Sequence, residues 1–180
     1  MNKVKFVVVA MLVSLFAISG VKAQNTFKKS DKIVEGTVSY SKSTGTDAEY
    51  SFSPAVGYFL TDRFAAGVTA EIGKSADGEV TNFGAYGRCY ILNIGQNFKA
   101  FSQLGIGSNT TKVAGVSTSE FAAGVGLGAN YFVSKRIALS AHIADLISYT
   151  SGDGNSTFNV GFTGFNNPIA MGKFGVLVKF

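Results

Sequence analysis

What most constrains this chain is how its polar breaks are spaced. From residue 33 onward the side chains alternate with a period of two, in eight runs at residues 33–42, 49–60, 63–73, 81–91, 98–108, 118–132, 136–147 and 170–180. The connections sort themselves by length: short at 61–62, 92–97 and 133–135, longer at 43–48, 74–80, 109–117 and 148–169. A period of two belongs to a strand with two unlike faces. Eight such strands whose short and long connections strictly alternate describe an up-and-down barrel with a tight-turn end and a loop end. A soluble sandwich has no reason to separate its turns in this way.

Ahead of these runs stands a different kind of sequence. Lys3 and Lys5 precede an apolar stretch over 6–18 broken only by Ser14, and Val21-Lys22-Ala23 closes it. This predicts a secretory signal peptide over residues 1–23. A membrane anchor would need about 20 apolar residues, and Ser19, Gly20 and Lys22 interrupt this run. Gln24 follows where a lipoprotein needs Cys, so no lipid anchor is implied. Removing Lys3, Lys5 and Lys22 takes Lys plus Arg from 16 to 13 against 11 Asp plus Glu, and the net charge from +5 to +2. Without a basic run beyond Lys28-Lys29, no nucleic-acid footprint is expected. One Cys (Cys89) and one His (His142) exclude a disulfide scaffold and a structural zinc site.

No stretch after the leader is long and apolar enough for a transmembrane helix. A tilted transmembrane strand needs only about 10 residues, which these runs supply. By parity the third run sets Phe64, Ala66, Val68, Ala70 and Ile72 on one face, against Ala65, Gly67, Thr69, Glu71 and Gly73. The sixth sets Phe121, Ala123, Val125, Leu127, Ala129 and Tyr131 against Glu120, Ala122, Gly124, Gly126, Gly128 and Asn130. The first face of each suits lipid, and the second a crowded lumen. Tyr58, Phe64, Phe98, Tyr131 and Phe180 all fall beside the tight-turn end, as an interfacial girdle would. Residues 58–65 (YFLTDRFA) recur as 131–138 (YFVSKRIA), so two hairpins are expected to share one turn chemistry. Pro54 predicts a bulge or a position above the membrane. Residues 157–165 read as the outer arm of a long last hairpin, with a ten-stranded count as the competitor. The expected division is a signal peptide at 1–23, a short periplasmic segment at 24–32 and an all-β, eight-stranded antiparallel up-and-down transmembrane barrel at 33–180.

The stretch Ser53-Pro54-Ala55-Val56-Gly57-Tyr58-Phe59-Leu60-Thr61-Asp62-Arg63 resembles the small outer-membrane β-barrel proteins of the OmpA/OmpX type, and the resemblance runs over nearly all of residues 33–180. Lys173, Gly175, Val178 and the final Phe180 resemble the barrel-insertion signal of such proteins, with Val178 where an aromatic is more usual. The resemblance implies the bacterial outer membrane as location, insertion by the outer-membrane assembly machinery, and contact with outer-membrane lipid and lipopolysaccharide. It implies no single activity, because members serve structural, adhesive, immune-evasion or enzymatic roles.

Inward parity places Glu35, Glu71, Arg88, Lys99, Gln103, Glu120, His142 and Lys179 in the lumen, where charges must be paired or hydrated. Glu71 and Arg88 flank the second loop almost symmetrically and are expected on neighbouring strands. Glu35 and Lys179 fall near the closure of the first and last strands. These residues read as a polar plug, and a gated ion path would require the pairs to rearrange. No catalytic site is expected, because parity aims His142 inward and Asp145 outward, away from any lipid-facing serine dyad. No cofactor or metal site is expected either: the glycines at 124, 126 and 128 lie inside a strand and precede no helix. The predicted role is structural or surface interaction, the latter at residues 148–169, whose exposed hairpin could recruit a partner strand. The alternatives are a soluble secreted barrel carrying an apolar ligand, a narrow porin, and a lipid-modifying barrel enzyme. A soluble carrier requires the opposite parity, polar outside and apolar inside.

Overall fold

In the computed structural model, residues 26–42, 48–75, 78–113, 115–152, 155–161 and 173–180 are described, so the leader, parts of the loops and residues 162–172 lie outside them. The described residues form nine strands and no helix: β1 (Lys32–Ser41), β2 (Glu49–Phe59), β3 (Phe64–Lys74), β4 (Glu79–Ile94), β5 (Phe98–Val113), β6 (Val116–Phe132), β7 (Ile137–Gly152), β8 (Asn155–Val160) and β9 (Lys173–Lys179). Every pairing is antiparallel, each strand beside the next from β1 to β7. β9 lies between β7 and β1 and closes the barrel at eight strands.

The ninth strand resolves the question of count. β7 changes partner along its length: Ile137 to His142 pair with β9, and Ile147 to Gly152 pair with β8. Thus β8 stands above β9 on the same side of β7, as the outer arm of one long hairpin, and the ten-stranded count is excluded.

Parity is as the sequence predicts. Val34, Val38, Val56, Val68, Ile72, Phe83, Leu104, Ile106 and Phe121 are exposed on the outer face, while Ile33, Phe59, Ala65, Phe101, Phe132, Ala138 and Leu177 are buried inside. The recurring octapeptide makes the same turn twice. Thr61 Oγ1 accepts from the Phe64 amide at 3.0 Å, and Ser134 Oγ from the Ile137 amide at 3.1 Å. The carbonyls of Arg63 and Arg136 then accept from the next strand, at Tyr90 and Lys179.

Two expectations are corrected. The third long loop is largely strand, since β5 runs to Val113 and pairs with β6 from Val116, and the second is trimmed at both ends, where Lys74 of β3 pairs with Glu79 of β4. Their Thr and Ser residues are strand-compatible, and Thr110 and Ser119 share a hydroxyl hydrogen bond of 2.9 Å across the pair. Pro54 makes no bulge and lies mid-strand opposite Gly36. The β2–β3 register is unbroken on either side of it, and the carbonyl of Pro54 instead accepts the Thr69 hydroxyl at 3.2 Å.

Candidate functional site

The lumen is layered, and each layer follows from which residues the inward parity supplies. At the end where β1 begins and β9 finishes it is aromatic. Phe27, from the segment before β1, is 3% exposed and stacks on Phe59 with ring centroids 4.3 Å apart. Tyr90 and Phe132 lie 4.6 and 5.1 Å from the same ring. The segment is held by its backbone as well: Ser30 N–H donates to Phe59 O at 2.8 Å, Phe59 N–H to Asp31 O at 2.9 Å, and Lys29 N–H to Asp62 Oδ1 at 2.8 Å. Phe27 is a contributor that strand periodicity cannot find, since it belongs to no strand. The only signal is a lone aromatic among polar residues just before the first run.

Above the aromatics lies a continuous polar chain. Tyr90 Oη donates to Asn130 Oδ1 at 2.7 Å, Asn130 Nδ2 to Ser140 Oγ at 2.9 Å, and Ser140 Oγ to Glu35 Oε1. Arg88 Nη2 meets Glu35 Oε2 at 2.7 Å, and Arg88 Nε donates to Gln103 Oε1 at 2.9 Å. The Arg88 guanidinium also sits 4.1 Å from the Phe101 ring centroid. Of the predicted lumen residues, Glu35, Arg88, Gln103 and His142 are thus brought together, with His142 Nε2 3.7 Å from Glu35 Oε1. Asn130, Ser140 and Tyr90 complete the set; their inward parity was legible, but their partners depend on register across several strands.

The other predicted residues lie elsewhere. Glu71 pairs with Lys173, at 2.7 Å, rather than lying beside Arg88. The expected symmetry fails because the β3–β4 turn is centred nearer β3: Glu71 stands opposite Asn82, and Arg88 opposite Ala65. Lys99 donates to Asn93 Oδ1 at 3.0 Å, and Lys179 holds Asp31 at 3.2 Å and the Thr26 carbonyl at 2.8 Å, all near the termini. Glu120, opposite Asn109 near the far end, is exposed and outside the central chain. Asp145 is a further correction. Register shifts on either side of Gly126-Leu127 set it opposite Gly126, where a Cβ would lie 2.9 Å from Asp145 Oδ1, so it faces the lumen.

Beyond the central layer the lumen opens. On β5 the inward residues Lys99 and Phe101 are buried, whereas Gln103, Gly105, Gly107 and Asn109 are half-exposed; β4 and β6 follow the same gradient. The interior is therefore a cup closed at the short-turn end. Tyr86 lies at its floor, over Gly57 and Gly67, where a Cβ would overlap its ring or hydroxyl.

The sequence matches the family model described as outer membrane protein beta-barrel domain over residues 8–164. The chain belongs to this family of outer-membrane β-barrels. No curated protein matches the sequence. Among solved structures, the barrel resembles the N-terminal β-barrel domain of Pseudomonas aeruginosa OprF, with a TM-score of 0.58 and 15% identity over 85% of this chain and 98% of that one. It also resembles Neisserial surface protein A, with a TM-score of 0.53 and 16% identity over 83% and 96%. The third is the outer membrane protein OprG of P. aeruginosa, with 0.52 and 14% over 88% and 99%. These likenesses show the fold, and the outer membrane is the location. In such barrels short turns face the periplasm and longer connections the exterior, so the end of this outer-membrane barrel that carries the short turns, where β1 begins and β9 finishes, is periplasmic. Its apolar exterior and polar mid-lumen overturn the soluble carrier as an alternative.

Proposed function

We propose that this outer-membrane barrel is a sealed structural hull that presents a partner-binding sheet at the cell surface. The observation that carries the reading is β8. All six of its residues are exposed, Phe158 at 65% and Val160 at 69%, and among the described residues it pairs only with β7. An exposed edge strand is a template for strand addition. Gly161 N–H donates to Leu146 O, so by the antiparallel alternation Asn155, Thr157 and Asn159 point their backbone groups at β7. Ser156, Phe158 and Val160 aim theirs at the free edge.

This alternation defines the test. Ser156→Pro removes a donor from the free edge while sparing the β7 ladder. Bacteria displaying this variant are expected to lose attachment to surfaces coated with extended, strand-forming peptides while keeping the folded, heat-modifiable barrel. Attachment equal to that of the unaltered protein would overturn the partner-binding role and leave the structural one.

Neither a pore nor an enzyme is part of this reading. Arg88 and Glu35 are 1% and 2% exposed, which supports a mid-lumen layer packed by side chains rather than an open pore. The Glu35 carboxylate lies between Ser140 and His142 and itself accepts the hydrogen bond of the serine hydroxyl. A nucleophilic serine needs the imidazole in that place. In the same reading Lys173, Gly175, Val178 and Phe180 form the signal for the assembly machinery, and residues 24–32 are a periplasmic segment following a cleaved leader.

A further inference from the structure

The two ends of the barrel differ in charge, and we propose that the periplasmic rim is a binding surface for anionic phospholipid headgroups of the inner leaflet. Lys28, Lys29, Lys32, Arg63, Lys135 and Arg136 are all exposed at this end. Of the two acidic side chains beside them, Asp31 is paired with a further cation, and Asp62, which keeps its charge, leaves the rim strongly net positive. Asp31 takes Lys179 and the Lys28 amide, and Asp62 takes the Lys29 amide. The six cations have no acidic side-chain partner among the described residues. At the outer end the described charges balance: Lys42, Lys74 and Lys112 stand among Glu49, Glu79 and Glu120, with Glu79 opposite both Lys74 and Lys112.

The position of the cations selects lipid as the occupant. Lys32 projects from the lipid face, in register with Tyr58 and joined backbone to backbone with Phe180, two members of the interfacial girdle. Arg63 and Arg136 each immediately precede an exposed apolar residue of the lipid face, Phe64 and Ile137, and the repeated turn fixes both at equivalent points. The cations therefore stand at the level where interfacial aromatics meet headgroups. Lys29 and Arg63 flank a shallow, open depression that Thr61 and Asp62 also line, so two of the cations stand together on the rim. Phe27 anchors the segment that brings Lys29 there. Clustered Lys and Arg at a membrane surface attract anionic lipid by an attraction that decays within a Debye length.

The protein purified from membranes is reconstituted in phosphatidylcholine vesicles carrying spin-labelled phosphatidylglycerol or spin-labelled phosphatidylcholine. Electron paramagnetic resonance then reads the immobilised fraction of each. The expected result is a preference for phosphatidylglycerol of about threefold or more in 0.1 M salt, vanishing in 1 M salt, where the Debye length falls to about 3 Å. Replacing all six rim cations by Gln abolishes the preference, and K29Q/R63Q lowers it. K42Q/K74Q/K112Q at the outer end leaves it unchanged. Heat-modifiable mobility verifies each fold, and K29Q/R63Q carries the test if the sixfold variant does not fold. No preference in the unaltered protein, or a preference that survives loss of the cations, overturns the proposal. So does sedimentation with purified peptidoglycan without lipid preference, which would assign the rim to the cell wall.

Discussion

Glu35 on β1 and Arg88 on β4 meet at 2.7 Å across the lumen although 53 residues separate them in sequence. Both are buried, so each is the other's compensation for lost hydration. Glu35→Gln leaves the guanidinium buried and unpaired and is expected to lower stability by about 3–5 kcal/mol. A pair of apolar replacements at both positions is expected to recover much of that loss. Urea unfolding of the vesicle-inserted protein measures both.

Tyr86 carries a buried hydroxyl with no hydrogen-bond partner among the described residues. Removing an unsatisfied polar group costs nothing and relieves desolvation. Tyr86→Phe is therefore expected to be neutral or to stabilise by up to about 1 kcal/mol. Gly57→Ala would push its methyl against that hydroxyl, at a cost of about 1–3 kcal/mol for overpacking. The same Gly57→Ala change is expected to be milder in the Tyr86→Phe background. A double-mutant cycle showing strict additivity would contradict this contact.

Phe27 holds its segment in the periplasmic mouth through stacking on Phe59, Tyr90 and Phe132. Phe27→Ala is expected to forfeit about 3–5 kcal/mol of packing. The loss falls on the docking of the segment before it falls on the barrel. Limited trypsin digestion should then cut rapidly after Lys28 and Lys29, while the remaining chain keeps its heat-modifiable mobility.

A planar bilayer containing the protein is expected to show no porin-like conductance steps, because the mid-lumen charges are sealed from water. Steady openings would show that the Glu35–Arg88 layer rearranges.

The fold was legible wherever a period of two decides it. Val68 and Thr69, or Leu127 and Gly128, must face opposite ways in any strand, so the lipid face and the lumen could be read from parity alone. Pairings across the lumen were not legible, because they depend on register. A shift of a few residues in the β3–β4 turn sends Glu71 to Lys173 and frees Arg88 for Glu35. The β7 irregularities after His142 turn Asp145 inward, and no local residue pattern announces them. Asn109 to Ser117 read as loop because Asn, Thr, Gly and Ser are common in loops, yet a neighbouring strand satisfies Asn109 to Val113 equally well.

The change of partner along β7 has a mechanical consequence. A load applied to the surface sheet through β8 is borne by six residue pairs between β7 and β8, arranged so that they open in turn, like a zip. The β7–β9 ladder that closes the ring uses other residues of β7, Ile137 to His142, and is not among those pairs. Peeled from its end, β8 can thus part from β7 one pair at a time while the eight-strand ring stays closed, as a breakaway coupling yields before the vessel behind it.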